Sequence, residues 1–218
     1  MLNVKRGLIV SCQADKCSAF FQTSSMAKFA IEVVKGGAVG LRIRGCNSVL
    51  CVKDVISVPI IGLTKSEYPN GDVHITPTYD DGAKLFDSGA DYIAIDATGR
   101  NGYNNIYRLS QRSIPVIGDI SDIKQAEEAV SNGCKALTTA LSGYTSECSS
   151  VADEPDYDLL KELIENFPTV PILAEGRYWE RAQVQTAVGA GAYGVVVGSA
   201  ITRPHLITNR LSGVFNDG

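Results

Sequence analysis

The chain has 218 residues, a hydrophobic fraction of 44% and a formal net charge of −4. Barrels of the α/β class with about 200 to 250 residues fold as one unit, so we expect residues 1–218 to form a single domain. The nearly balanced charge supplies no excess of basic surface, and we therefore expect neither nucleic acid nor a membrane as a partner.

The N-terminus and the cysteines argue against export and against a metal site. Lys5 and Arg6 precede an apolar run of four residues, far shorter than a signal-peptide core or a membrane span, so we expect a cytoplasmic protein. The six cysteines form no C-x-x-C pair and the chain has only two histidines, which predicts free thiols and no zinc site. Cys12 has no histidine near it in sequence, so we interpret it as a buried thiol and not as a nucleophile.

Eight short apolar segments rich in β-branched residues recur along the chain, and each predicts a buried strand. They are GLIVSCQ (7–13), AVGLRIR (38–44), VPIIGLTK (58–65), YIAIDAT (92–98), PVIGDIS (115–121), ALTTALSG (136–143), VPILAEG (170–176) and GVVVGSA (194–200). Amphipathic segments between them, with apolar residues three and four positions apart, predict helices at 24–37, 81–91, 122–135, 156–167 and 180–193. Apolar strands that alternate with helices predict a parallel sheet, and eight such units favour a closed (β/α)8 barrel.

The barrel assignment directs attention to the residues that close each predicted strand, because active sites of such barrels lie at the C-terminal strand ends. The polar residues there are Gln13, Arg42, Arg44, Lys65, Asp96, Thr98, Asp119, Thr139, Ser142, Glu175 and Ser199. Any one of these polar residues could simply mark the point at which the chain leaves the strand and returns to solvent. Their collection at one mouth favours a site, since unpaired charges held together there are costly.

Two glycine-containing loops favour a phosphorylated ligand. AEGRYW places Gly176 after the seventh predicted strand, and VVVGSAITRP places Gly198 and Ser199 after the eighth. Glycine allows the backbone to approach an anion, and a short helix starting at Ser199 would direct N–H groups toward it. Arg203, four residues after Ser199, could add a charge-assisted contact.

The segment SECSSVADEPDYD (146–158) follows the sixth predicted strand and is rich in serine and acidic residues. It predicts either a mobile lid over the barrel mouth or a plain acidic surface loop.

An ordered set of motifs resembles one known family, the N-acetylmannosamine-6-phosphate 2-epimerases. The motifs run from near the first residue to about residue 207, and they are GLIVSCQA, GGAVGLRI, VPIIGLTK, DVHITPT, YIAIDAT, LSGYTS, AEGR and GAYGVVVGSAITRP. The resemblance implies a cofactor-free (β/α)8 barrel that interconverts N-acetylmannosamine 6-phosphate and N-acetylglucosamine 6-phosphate in bacterial sialic acid catabolism.

By the family pattern, Lys65 matches the catalytic lysine and Glu175 the catalytic carboxylate. Substrate-contacting positions match Gln13, Arg42 and Asp119, and a phosphate-contacting position matches Arg203. The chain departs from the pattern at Ser66, where arginine is frequent, and at Ser199, where a second glycine is frequent. Neither departure removes a catalytic group.

Inverting C2 of such a sugar requires removal of a proton next to the C1 aldehyde and its return from the opposite face. Lysine can act as the base only when its amine is neutral, and burial together with Arg42 would lower the pKa of Lys65. Glu175 could move a proton during ring opening or act at the second face, and the residues alone do not choose between these roles.

Other polar groups at the mouth have open roles. Gln13, Arg42 or Arg44 could hold the oxyanion or the acetamido group, and Asp119 either orients sugar hydroxyls or pairs with Lys65. Two alternative functions use the same barrel: a phosphosugar aldolase that forms a Schiff base at Lys65, or a non-catalytic phosphosugar binder. The sequence leaves the oligomeric state open, with a homodimer as one option.

Overall fold

The computed structural model describes residues 2–67, 73–99, 102–145 and 153–215. Eight parallel strands close into a barrel in the order β1-β2-β3-β6-β7-β8-β9-β10, and β10 pairs again with β1. The barrel strands are β1 (Gly7–Cys12), β2 (Gly40–Arg44), β3 (Ile60–Leu63), β6 (Tyr92–Asp96), β7 (Val116–Asp119), β8 (Ala136–Thr138), β9 (Ile172–Glu175) and β10 (Gly194–Val197). The predicted (β/α)8 barrel is confirmed. The segment predicted as a lid or an acidic loop, residues 146–158, lies partly outside the described residues, because residues 146–152 are not among them.

Helices lie between the strands and cover the outside of the barrel. They are α1 (Thr23–Lys35), α2 (Cys46–Lys53), α3 (Tyr79–Asp87), α4 (Gly102–Gln111), α5 (Ile123–Ser131), α6 (Tyr157–Asn166), α7 (Arg181–Gly189), α8 (Ser199–Thr202) and α9 (Pro204–Ser212), followed by the 3-10 turn Gly213–Phe215. The sequence had indicated α1, α3, α5, α6 and α7, and also a short helix starting at Ser199, which is α8. It did not indicate α2, which has eight residues and shows the helical period for barely two turns, or α4, which contains weak helix formers.

Side chains alternate between the two faces of each strand and thereby form two apolar layers. The layer inside the barrel includes Ile9, Ile61, Leu63, Tyr92, Ala94, Ile117, Ala136, Leu173 and Val196. The layer between strands and helices includes Val10, Leu41, Ile43, Ile93, Ile95, Leu137, Ile172 and Val195, which pack against apolar helix residues. Asp119 and Glu175 follow Ile117 and Leu173 by two positions, so their side chains lie on the inner face at the C-terminal end.

The strand before Lys65 ends earlier than the sequence predicts. The apolar run predicted a strand closing on Lys65, but β3 ends at Leu63, and Lys65 begins β4 (Lys65–Glu67), which pairs antiparallel with β5 (Val73–Ile75). The hydroxyl of Thr76 accepts a hydrogen bond from the Thr64 amide at 3.1 Å, and the Thr76 amide donates to the Thr64 carbonyl at 3.0 Å. These bonds direct the chain out of the barrel ladder and into a hairpin.

The N-terminal segment closes the opposite end of the barrel. Leu2 and Val4 are buried in the inner apolar layer, and the hydroxyl of Tyr193 donates to the Val4 carbonyl at 2.6 Å. A solvent-accessible mouth is therefore expected at the C-terminal strand ends. None of the helices within the described ranges has the length and apolar character needed to cross a membrane.

Candidate active site

A cavity of about 610 Å³ opens at the C-terminal end of the barrel. Its volume falls within the range of about 300 to 1,000 Å³ that is usual for small-molecule sites. Its lining includes the nine residues that the family pattern and the two glycine loops indicated for catalysis or substrate binding: Gln13, Arg42, Lys65, Asp119, Glu175, Gly176, Gly198, Ser199 and Arg203. Their positions agree with one shared site, and their individual roles stay proposals.

Other polar strand-end residues do not line this cavity. Arg44 lines a separate cavity of about 370 Å³ at the start of α2. The amide and hydroxyl of Thr98 donate to Asp96, which forms a local turn. The hydroxyl of Ser142 donates to Asp156, the residue that precedes α6, at 2.5 Å.

Arg42 is the centre of a buried charge network. Its Nη1 atom donates to Oδ1 of Asp119 at 2.9 Å and to Oε2 of Glu175 at 2.8 Å, while Nη2 donates to Oδ2 of Asp119. Asp119 therefore pairs with Arg42, a partner that the sequence analysis did not name. Burial alone would lower the pKa of Arg42, but the two carboxylates outweigh it and raise the pKa, so the guanidinium stays charged.

Glu175 ends β9 on the inner face, and its side chain is 15% exposed. Burial and the charge of Asp119 raise its pKa, Arg42 and Lys65 oppose that rise, and the result is a pKa of about 7. Both protonation states of Glu175 are therefore accessible near neutral pH, which suits a group that gives or accepts a proton.

Lys65 reaches the same cavity from β4. Burial lowers the pKa of Lys65 most strongly, the charges of Arg42, Arg203 and Arg44 lower it further, Glu175 opposes them, and the resulting pKa is about 8. The direction agrees with the expectation from the sequence. An amine with this pKa is neutral in an appreciable fraction of molecules near neutral pH and can act as a base.

The loops after β9 and β10 supply the glycines predicted for phosphate binding. Gly176 has a φ of 106°, a conformation that other residues rarely adopt. Gly198 precedes α8, and the first amides of a helix, here those of Ser199 and Ala200, have no acceptor within the helix. Arg203 lines the cavity and forms an ion pair with Asp15 at 3.0 Å, a partner that the sequence did not predict.

Several lining residues were missed by the sequence analysis. They are Ser11, Ile75, Leu141, Tyr144, Asp153, Arg177, Tyr178, Trp179 and Thr202, together with Ala140 and Val196. Arg177 had a signal, because it completes the AEGR motif. It has a φ of 61°, and it donates to the carbonyls of Ser142 at 2.8 Å and Glu154 at 2.6 Å. Ser11, Ile75, Val196 and Thr202 lie on regular elements, and the rest come from loops, whose sequence alone does not specify which side chains turn toward the mouth.

A family model described as "NanE: Putative N-acetylmannosamine-6-phosphate epimerase" matches residues 26–217. The chain belongs to this epimerase family. The resemblance seen in the sequence motifs is thereby confirmed.

Members of the epimerase family match this chain over nearly its whole length. A protein of Caldanaerobacter subterraneus subsp. tengcongensis, described as a "Putative N-acetylmannosamine-6-phosphate 2-epimerase", is 40% identical over 95% of this chain and 90% of its own. A relative from Clostridioides difficile with the same description is 35% identical over 95% of both chains. The solved structure of the N-acetylmannosamine-6-phosphate 2-epimerase from Clostridium perfringens has a TM-score of 0.90 and 34% identity, and the match covers 97% of this chain and 94% of that one.

Cys12 is poorly suited to act as a nucleophile in this member of the epimerase family. Burial raises the pKa of Cys12 to about 12, so its thiolate is scarce near neutral pH. The five cysteines within the described ranges are free thiols, and Cys148 lies outside those ranges. No group of three or more metal-ligating side chains is found in the described part of the chain.

Proposed function

We propose that this protein interconverts N-acetylmannosamine 6-phosphate and N-acetylglucosamine 6-phosphate by removing and returning the proton at C2, as a step of sialic acid catabolism. Family membership supports the substrate and the reaction. The observation that carries the proposal is the presence of Lys65 and Glu175 in one cavity, with the pKa of the amine lowered to about 8 and that of the carboxyl raised to about 7.

In the proposed reaction, the open-chain form of the sugar presents a C2 proton that the C1 aldehyde makes acidic. Neutral Lys65 removes this proton, and the electron pair moves to O1 to form an enolate. Return of a proton to the opposite face of C2 completes the inversion. Since no electron leaves or enters the sugar overall, proton transfer alone balances the reaction, in agreement with the cofactor-free chemistry that the family implies.

Glu175 is the proposed second proton-transfer group. With a pKa of about 7 it can carry a proton near neutral pH and deliver it to C2 or to the ring oxygen. Arg42 holds Glu175 in place and lies in the cavity lining, but both of its terminal nitrogens already donate to carboxylates. We therefore assign Arg42 chiefly to orienting Glu175.

The remaining groups are proposed to bind the ends of the sugar. The 6-phosphate is proposed to lie against the loops of Gly176 and Gly198, with Ser199 and Arg203 as donors. Gln13 donates from Nε2 to the hydroxyl of Ser11 at 2.7 Å, while its buried Oε1 has no protein partner among the described residues. That oxygen is proposed to accept a hydrogen bond from the acetamido N–H group.

The proposal is tested by incubating the purified protein with N-acetylmannosamine 6-phosphate in D₂O and following the sugar by NMR. We expect N-acetylglucosamine 6-phosphate to form with deuterium at C2. Absence of product, or product without deuterium under multiple turnovers, would contradict proton abstraction at C2.

The same incubation with borohydride separates this proposal from a Schiff-base aldolase. An epimerase that uses Lys65 as a free amine forms no imine and keeps its activity. Irreversible inactivation with the mass of the sugar added at Lys65 would instead establish the aldolase type of chemistry. Binding without any turnover would indicate a non-catalytic phosphosugar binder.

We also propose that the chain works as a single domain in the cytoplasm. A homodimer stays a prediction, which sedimentation velocity of the purified protein would test.

A further inference from the structure

The hydroxyl of Thr138 contacts the buried charge network from outside the cavity. Thr138 ends β8 with no exposed surface, and its Cα is paired with that of Asp119 in the parallel ladder between β7 and β8. Oγ1 of Thr138 donates to Oδ1 of Asp119 at 2.9 Å. Thr138 does not line the cavity, so it meets the proposed chemistry only through other side chains.

The direction of this hydrogen bond is determined by a second contact. The Ala140 amide donates to Oγ1 of Thr138 at 3.1 Å and occupies a lone pair of the hydroxyl. A backbone amide can only donate, and a carboxylate can only accept, so the hydroxyl proton must point at Asp119. Valine, which has nearly the same shape as threonine, would remove this donor and leave the volume almost unchanged.

Among the described residues, three donors act on the Asp119 carboxylate: Nη1 and Nη2 of Arg42 and the hydroxyl of Thr138. Nη1 carries two N–H groups, which can serve Oδ1 of Asp119 at 2.9 Å and Oε2 of Glu175 at 2.8 Å. Thr138 donates to the same Oδ1 atom and neutralises part of the Asp119 charge. Because that charge opposes ionisation of Glu175, the hydroxyl of Thr138 indirectly favours the ionised form of Glu175.

We propose that Thr138 is a positioning residue that, through Asp119, sets how tightly Glu175 holds its proton. The inference deepens the proposed function, because it concerns the group proposed there for proton transfer. Without the Thr138 hydroxyl, the charge of Asp119 is less completely neutralised, and this change favours the protonated form of Glu175.

Among the described residues, the charged groups that act on Glu175 lie on three strands. They are Arg42 on β2, Asp119 on β7 and Lys65 on β4. The flanking strands add no charge beside it, because β10 pairs Val196 with Glu175 and β8 ends in Thr138. A shift in the titration of Glu175 after substitution of Thr138 would therefore be transmitted through Asp119.

The test measures protonation of Glu175 directly by infrared difference spectroscopy. The carboxylic-acid C=O band is titrated in each protein and in the same protein carrying Glu175→Gln, and the difference gives the midpoint of Glu175. In Thr138→Val we expect the midpoint to rise by about half a pH unit or more. Thr138→Ser, which keeps the hydroxyl, should restore the original midpoint.

Two further variants control for a purely structural effect. Asp119→Asn removes the charge that opposes ionisation of Glu175, so the midpoint should fall, opposite in sign to Thr138→Val. Thr145→Val removes another buried hydroxyl, which contacts Ser121 at 3.3 Å and no member of the network, and should leave the midpoint unchanged. If Thr138→Val does not fold, Thr138→Ala is measured with the same expectation.

An unchanged Glu175 midpoint in a folded Thr138→Val or Thr138→Ala protein would overturn the proposal. The pH profile of kcat/KM provides a second readout, in which the limb that reports Glu175 should move upward by the same amount. Because the infrared measurement does not depend on turnover, a shifted midpoint in a protein without epimerase activity would reject the proposed function and uphold the role of Thr138.

Discussion

Arg42 and Glu175 form an ion pair of 2.8 Å within the barrel mouth, yet the carboxyl of Glu175 still has a pKa of about 7. Burial opposes the charged form, and Asp119, which pairs with the same guanidinium, repels a second negative charge. The ion pair therefore fixes the position of Glu175 without keeping it permanently ionised. A carboxyl held in place but ready to titrate is suited to proton transfer, and it should reduce the stability of the fold.

That cost to stability can be measured with Glu175→Gln. The folded-state pKa of about 7 lies above the ordinary value of 4.5, so between these values the folded protein binds more protons than the unfolded chain. Stability contributed by this group is therefore present below about pH 4.5 and is lost as the pH rises through about 7. Glutamine does not titrate, so we expect the variant to gain stability relative to the parent by about 3 kcal/mol over this window.

Urea unfolding of both proteins at about pH 5 and about pH 8 provides the measurement. Glu162→Gln on α6 is a matched control, because Glu162 is exposed, and its stability difference should be the same at both pH values. If the stability difference between Glu175→Gln and the parent does not increase with pH, ionisation of Glu175 does not destabilise the folded protein as proposed.

Lys65→Met should reduce turnover by about a hundredfold to ten-thousandfold or more, because methionine has a similar size but no amine to remove the C2 proton. Exchange of the C2 proton with D₂O should be lost to the same extent, while binding of the phosphorylated sugar should change little. Lys35→Met, at an exposed lysine paired with Glu32, should keep full activity. Full activity in Lys65→Met would exclude Lys65 as the base.

The value of kcat/KM should follow, as the pH changes, the fraction of molecules in which the amine of Lys65 is neutral. The active fraction increases as the pH rises toward the pKa of about 8 and then levels off, whereas an unperturbed lysine would continue to gain activity up to about 10.5. If Glu175 must also be protonated, the profile becomes bell-shaped: it rises to about pH 7, is level to about pH 8 and falls above that, because the required acid has the lower pKa. Activity that still increases above about pH 10 would show that the amine is not perturbed in this way.

The 6-phosphate should be required for efficient turnover. Two to three charge-assisted hydrogen bonds at roughly 1.5 to 3 kcal/mol each predict a loss of at least about a hundredfold in kcat/KM for unphosphorylated N-acetylmannosamine. Steady-state kinetics with both sugars measures the ratio. Arg203→Gln should reduce the ratio of the two kcat/KM values, mainly by lowering kcat/KM for the phosphorylated sugar. Equal kcat/KM values for the two sugars in the parent protein would refute the assigned phosphate site.

The barrel and much of the candidate site could be predicted from sequence for local reasons. Strands buried on both faces appear as short apolar runs, and their C-terminal ends are the places where polar residues interrupt the pattern. That pattern alone drew attention to Gln13, Arg42, Lys65, Asp119 and Glu175, and all five line the cavity. The pattern does not distinguish Arg44 or Asp96, which follow strands in the same way but have other surroundings.

By itself, then, the sequence determined the barrel, the end of it that carries the site, and the types of group available there, because period and residue type are properties of neighbouring positions. Only the tertiary structure decided the partners. Asp119 lies 77 positions from Arg42 and pairs with it, and Glu175 lies 133 positions away and shares the same nitrogen. The placement of Lys65 on a hairpin likewise depends on a contact, between Thr64 and Thr76. Such pairings arise from closure of the barrel, which brings distant strand ends together and sets the burial and the fields that shift each pKa.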